Sequence, residues 1–150
     1  MTEESADHER VVVGFDSSPA SVRALRWALR HAARTGAAVV AVRAWELPSG
    51  YGYGSGLGDG EDPAAVAERD LARGVADAVT EEPGVPVEAR VVEGHPARVL
   101  IDRAAGADLL VLGNRGRGAF AEALLGSVSN YCVHHARCPV VVVRPTDGRA

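Results

Sequence analysis

Lysine is absent from the 150-residue chain, and all sixteen basic side chains are arginine. A genome-wide codon bias is the plainest source of that absence, but its chemical consequence is firm. The ammonium of a Walker A loop and the amine of a Schiff-base catalyst are both excluded. Cysteine is scarce. Cys132 and Cys138 fit no metal-ligand spacing and are too few for a disulfide framework. Two buried thiols in a reducing compartment are expected. No apolar run approaches the ~20 residues of a membrane span, so no membrane role is expected. Excess positive charge is also missing. At a net charge of −4 the chain lacks the basic face that general nucleic-acid binding needs. Residues 1–9, MTEESADHE, hold no hydrophobic signal region and read as a polar, disordered lead. The expected setting is the cytoplasm.

What is present suits one globular domain. Apolar residues make up 47% of the chain and charged residues 24%, enough to bury a core. RVVVGFD, Arg10 to Asp16, is a β-branched run of the kind found in strands buried on both faces. Ser17, Ser18 and Pro19 then supply a helix start. Val22, Leu25, Leu29 and Ala32 recur at helical spacing, and Gly36 supplies the stop. Further strands are expected at Ala37 to Trp45, Val85 to Gly94, Ala107 to Gly113 and Cys138 to Pro145. Further helices are expected after Asp62–Pro63, with Val66, Leu71, Val75 and Val79 inward, and from His95–Pro96 to Ala105, with Val99, Leu100 and Ala104 inward. A last helix is expected from Ser127 to Ala136, with Val128, Tyr131, Cys132 and His135 on one side. Five alternations of strand and helix imply an α/β domain, an open parallel sheet with helices on both faces.

Residues 46–62, ELPSGYGYGSGLGDGED, break the pattern. The stretch is too glycine-rich to bury much surface and reads as a flexible insert, either a lid over a ligand or simply mobile. Tyr51 and Tyr53 within it either stack on a base or move freely. Residues 146–150 form a polar tail.

In parallel sheets ligands sit at the carboxyl ends of the strands, where the strand order reverses. The first strand ends in GFDSS and the fourth in GNRGRG, so two unusual loops are expected at one crevice. Gly113, Gly116 and Gly126–Ser127 could frame an anion site there. A helix N-terminus offers unpaired N–H groups, and a missing Cβ at Gly126 lets an oxyanion approach them. Ser127 and Ser129 add hydroxyls, Gly113 and Gly116 allow a sharp turn, and Arg115 and Arg117 add positive charge. Plain turn and cap chemistry accounts for the same glycines, and both readings stand on the residues alone. Adjacent His134 and His135 point apart on a helix and make no metal pair. His95 reads as a local cap.

The stretch GNRGRGAFAEALLGSVS, with Gly, two residues, Gly, nine residues, Gly and Ser, resembles the nucleotide-binding motif of the universal stress protein family. RVVVGFDSSPAS resembles the opening strand of that family, EGHPARVLIDRAAGADLLVLGNRGRG its third-helix and fourth-strand region, and CPVVVVRP its last strand. The resemblance implies a single Rossmann-like domain over 10–145, of the adenine nucleotide alpha hydrolase-like kind, with strand order 3-2-1-4-5. It implies binding of ATP, with Mg2+ or Mn2+ held by the phosphates. Asp16 would then contact the adenine or ribose, with a helix-capping acid as the alternative. Gly14 would let the base lie on the first strand, Ala44 would offer backbone to the adenine edge, and Val111 would line the base pocket. Gly113 and Gly116 would lie near ribose and phosphates, and Gly126, Ser127 and Val128 at the phosphates. The roles of Arg115 and Ser129 rest on charge and chemistry alone. The resemblance further implies a homodimer through the last strand, Pro139 to Arg144. A nucleotide-dependent stress regulator is expected. A slow ATPase or nucleotidyl-transfer enzyme is the alternative, weakened by the lack of a base beside the cradle. An interaction module without nucleotide is the third.

Overall fold

Three consecutive valines set the centre of the molecule. Val11, Val12 and Val13 are fully buried in strand β1 (Arg10–Gly14), the middle of a five-stranded sheet. The computed structural model describes residues 9–47, 60–116 and 125–145. The expected lead before Glu9, most of the glycine-rich insert with Tyr51 and Tyr53, Arg117, and the expected tail lie outside the described residues. Glu9, expected in the lead, is engaged: its carbonyl accepts from the Ala38 N–H at 2.9 Å.

The remaining strands are β2 (Ala38–Trp45), β3 (Val87–Glu93), β4 (Leu109–Gly113) and β5 (Val140–Val143), in the order β3-β2-β1-β4-β5. All pairs are parallel, with Val11 against Val39 and Leu109 and with Leu110 against Val140. Alternation along each strand divides the core between the two faces. Val11 and Val13 join Leu25, Leu29 and Leu71 on one face, whereas Val12 joins Leu100, Leu110 and Cys132 on the other. Burying a valine or leucine completely contributes about 1.5–3 kcal/mol, so these two layers dominate the stabilisation.

Four helices cover the faces: α1 (Pro19–Thr35), α2 (Pro63–Val79), α3 (Pro96–Ala104) and α4 (Ser127–His135). The first three start alike, with a polar cap followed by proline. The Ser18 side chain accepts from the Ser21 N–H, Asp62 from Ala64 and His95 from Ala97. Proline at the first position loses only an N–H that has no helical partner. Gly36 ends α1 with φ +81°, a conformation glycine enters at little cost.

Three expectations need correction. Cys132 is buried, but Cys138 is only half-buried. Of the residues expected on one side of α4, Cys132 is buried, whereas Tyr131 and His135 are not packed inward beside it. Both are exposed, and their rings stack 4.1 Å apart on the solvent side of α4. In α2 the fully covered positions are Ala67, Leu71 and Ala78, while Val66 is half-buried. Both edges of the sheet differ from its centre. β3 is largely exposed and carries a Glu88–Arg90 ion pair, whereas β5 is four valines, each half-buried.

Candidate functional site

The chain order reverses between β1 and β4, and their carboxyl ends open into a cavity of about 590 Å³. That volume falls in the range of small-molecule sites. Ten of the eleven expected site residues line it: Gly14, Asp16, Ala44, Gly113, Arg115, Gly116, Gly126, Ser127, Val128 and Ser129. Val111 does not. It is fully buried in the core layer under α1, because strand alternation turns it away from its neighbour Leu112, which does line the cavity. Leu100, Val42, Pro96, Phe15, Ser21 and Arg43 also line it and were not expected at the site from the sequence. Only the register of the strands and the packing of α3 reveal them.

The cavity has two chemically distinct regions. Leu100, Leu112, Val42 and Pro96 make an apolar surface, while Asp16, Arg115, Gly116, Gly126 and Ser127 make a polar one. Gly14 underlies the apolar part. A Cβ there would come within 2.9 Å of Leu100 Cδ1 and Leu112 Cδ2, so the missing side chain makes room for the two leucines.

The motif glycines serve close approach, not sharp turning. Among the described residues the glycines with positive φ are Gly36, Gly94 and Gly106, so Gly113, Gly116 and Gly126 adopt ordinary backbone conformations. A Cβ at Gly113 would lie 2.7 Å from the Ala20 backbone, which ties the end of β4 against the first turn of α1. A Cβ at Gly116 would lie 2.8 Å from Asp16 Oδ2. One at Gly126 would lie 3.3 Å from Arg115 Cα and the Gly116 nitrogen. The two ends of the motif are drawn together by the Gly126 N–H, which donates to the Asn114 carbonyl at 2.8 Å.

The start of α4 breaks the rule of the other three helices. Its N-cap is Gly126, with no side-chain cap hydrogen bond. Ser127 is the first helical residue, not the cap, and is exposed. The N–H groups of Ser127, Val128 and Ser129 have no intrahelical acceptor, and they carry the positive end of the helix dipole. Ser129 is buried, and its hydroxyl donates to the Gly113 carbonyl at 2.6 Å. Its one proton is thereby committed to holding α4 against β4.

Opposite α4 lies the turn after β1. Asp16 Oδ1 accepts from the Ser18 N–H at 2.9 Å, and the Asp16 N–H donates to Ser21 Oγ at 3.2 Å. The capping residue of α1 is Ser18, so the carboxylate shapes the turn before the cap. Ser17 between them has φ +70°, a conformation that costs a non-glycine residue about 1–2 kcal/mol. Its Oγ accepts from Arg43 Nη1 at 3.2 Å.

Behind the apolar wall Cys132 is fully buried, and desolvation pushes its thiol up to about 11. It is a packing residue. Among the described residues no three His, Cys, Asp or Glu side chains cluster as metal ligands. Among the described residues that line the cavity, Asp16 is the one carboxylate. The donor set therefore fits a cation brought by phosphate oxygens better than one caged by protein. No helix among the described residues is long and apolar enough to cross a membrane.

A profile of the universal stress protein family matches residues 8–144. Universal stress protein Rv2005c of Mycobacterium tuberculosis is 42% identical over 146 residues, an alignment covering 91% of this chain and 46% of the relative. The chain thus spans about half the length of that relative. Among solved structures, a universal stress protein crystallised in complex with cAMP is 30% identical, with a TM-score of 0.68 over 91% of this chain and 97% of the other. Universal stress protein UspA from Lactobacillus plantarum is 26% identical, with a TM-score of 0.74 over 91% and 98% of the two chains.

Proposed function

The chain belongs to the universal stress protein family, and we propose that it is a stress-response regulator that binds ATP in the β1–β4 cavity. One observation carries the proposal. The α4 N-terminus has no side-chain cap, and Gly126, Ser127 and Val128 line the cavity beside Gly116 and Asp16. Backbone N–H groups without helical partners, at the positive end of a dipole, suit a phosphate. In this reading the adenine lies on Leu100 and Leu112 near Ala44, the ribose lies near Asp16, and the phosphates take the N–H groups of Ser127 and Val128. Arg115 adds positive charge at the cavity wall. The cAMP bound to the 30% identical relative supports an adenine nucleotide as the ligand class. A divalent cation, Mg2+ or Mn2+, would arrive on the phosphates and neutralise part of their charge.

That same complex favours a second reading, in which the ligand is a nucleoside monophosphate or cAMP. Competitive titration of ATP, ADP, AMP and cAMP separates the two. Hydrolysis is expected to be slow or absent. Asp16, the carboxylate among the described lining residues, already accepts a backbone N–H, and the chain has no lysine to assist it. Turnover of ~1 per second or faster, typical of dedicated enzymes, would instead favour an ATPase or transferase.

We place the protein in the cytoplasm as a homodimer joined along β5. The strand is an apolar edge of four valines, which pairing about a two-fold axis would cover. The nucleotide reading is tested by mass spectrometry of small molecules released on denaturing the purified protein. About one adenine nucleotide per chain supports it. None released, together with no heat on titration with ATP and magnesium, overturns it.

A further inference from the structure

Arg43 is an unusual residue for the middle of a sheet. It sits on β2, is 9% exposed, and lines the cavity. Burying a guanidinium is costly unless its charge and its donors are matched. Two of its partners lie on different elements. Nη1 donates to Ser17 Oγ at 3.2 Å, and Nη2 lies 3.8 Å from Asp70 Oδ2 on α2. Ser17 is the one non-glycine residue with positive φ among the described residues, and it directly follows Asp16. The next N–H along, that of Ser18, is the one Asp16 Oδ1 accepts.

We infer that Arg43 is a positioning residue of the nucleotide pocket: its hydrogen bond to Ser17 holds the left-handed turn that presents Asp16 to the cavity, and its pairing with Asp70 anchors that turn to α2. The inference rests on the nucleotide-binding reading above and adds to it the device that sets the geometry of one wall. An arginine is suited to the task because its planar fork can hold two partners on different elements at once. Direct attraction between Arg43 and the phosphates is the competing role, and it makes a different forecast.

A mutant cycle distinguishes them. Arg43→Met keeps most of the side-chain bulk and removes the donors. Ser17→Gly lets the backbone enter the left-handed region at little cost, so the turn no longer needs the bond. ATP with magnesium is titrated calorimetrically into the wild-type chain, R43M, S17G and the double variant. R43M is expected to weaken binding about tenfold, which corresponds to about 1.4 kcal/mol. In the S17G background the same change should weaken it less than about threefold. Equal losses in both backgrounds, or no loss in R43M, would overturn the inference while leaving nucleotide binding intact. Ser17→Ala removes the acceptor but leaves the buried guanidinium, and it should weaken binding as R43M does. That variant keeps the test standing if R43M does not fold.

Wild-type protein that binds no ATP would sink the functional reading instead. Hydrogen exchange at the Ser18 amide of the unliganded protein then decides the turn separately. Protection should fall in R43M and return in the double variant. Unchanged protection in R43M would overturn the positioning role.

Discussion

Gly126→Asp should separate the stability of the fold from ligand binding. At Gly126 φ is −68° and ψ is 167°, extended values open to any residue. Aspartate is among the preferred N-caps, and its carboxylate would accept the N–H of Val128 or Ser129. It would also complement the helix dipole. Against this gain stands the tight Cβ position, 3.3 Å from Arg115 Cα and the Gly116 nitrogen, which must yield by a few tenths of an ångström. The two effects oppose each other at about 1 kcal/mol each. For a chain of this length that leaves Tm within about 4 °C of wild type.

Binding should respond very differently. The new carboxylate competes for the Val128 N–H assigned to a phosphate and sets a like charge beside the Ser127 N–H. A hydrogen bond to a charged group is worth about 1.5–3 kcal/mol, so losing one costs about that much, and the like charge adds to the loss. Affinity for ATP should fall by more than about tenfold. Isothermal titration calorimetry reads the affinity, and scanning calorimetry reads the stability. Gly126→Ala, which adds bulk without charge, should lose less. A Gly126→Asp protein that stays folded and binds ATP within about threefold of wild type would refute the assignment of phosphate to the α4 N-terminus.

Gly113→Ala should do the opposite. Its Cβ would meet the Ala20 backbone at 2.7 Å, and a loss of about 1–3 kcal/mol is expected in urea unfolding; an unchanged midpoint would contradict the packing role. Cys132, its thiol raised by burial from 9.0 to about 11, should resist thiol reagents at pH 8 until the protein unfolds. The sign of the accompanying stability effect follows from the raised folded-state value. The contribution is fully present below pH 9 and is lost as pH climbs toward 11, so a thiol-dependent gain in stability over that window would contradict it. Gel filtration with light scattering should return twice the 15.6 kDa chain mass at micromolar concentration, and a clean monomer would rule out pairing along β5.

Much of the fold was legible because each local signal agreed with the next. Ser18–Pro19, Asp62–Pro63 and His95–Pro96 mark three helix starts, and the buried valine runs mark the central strands. The exception to the cap-then-proline pattern, Gly126–Ser127, lies at the candidate site. Side-chain direction was less legible. Val111 and Leu112 are equally apolar, and only the pleat sends one to the core and the other to the cavity. Tyr131 and His135 shared a helical face with Cys132 in the expected pattern, but α4 contacts its neighbours along a narrow strip around Ser129 and Cys132. The role of the motif glycines was half legible. Their spacing announced a loop–helix unit, but what each makes room for depends on Ala20, Asp16 and Arg115, which the fold brings near. Arg43 carried no sequence signal, since its meaning lies in partners 26 and 27 residues away, Ser17 before it and Asp70 after it.

A crystal structure of the protein with ATP and magnesium tests the central claim most directly. A phosphate oxygen about 2.7–3.2 Å from the N–H groups of Ser127 or Val128, with adenine against Leu100 and Leu112, is the expected result. Nucleotide bound elsewhere, or the space at Gly126 taken by the chain's own atoms while ligand is present in excess, would contradict it.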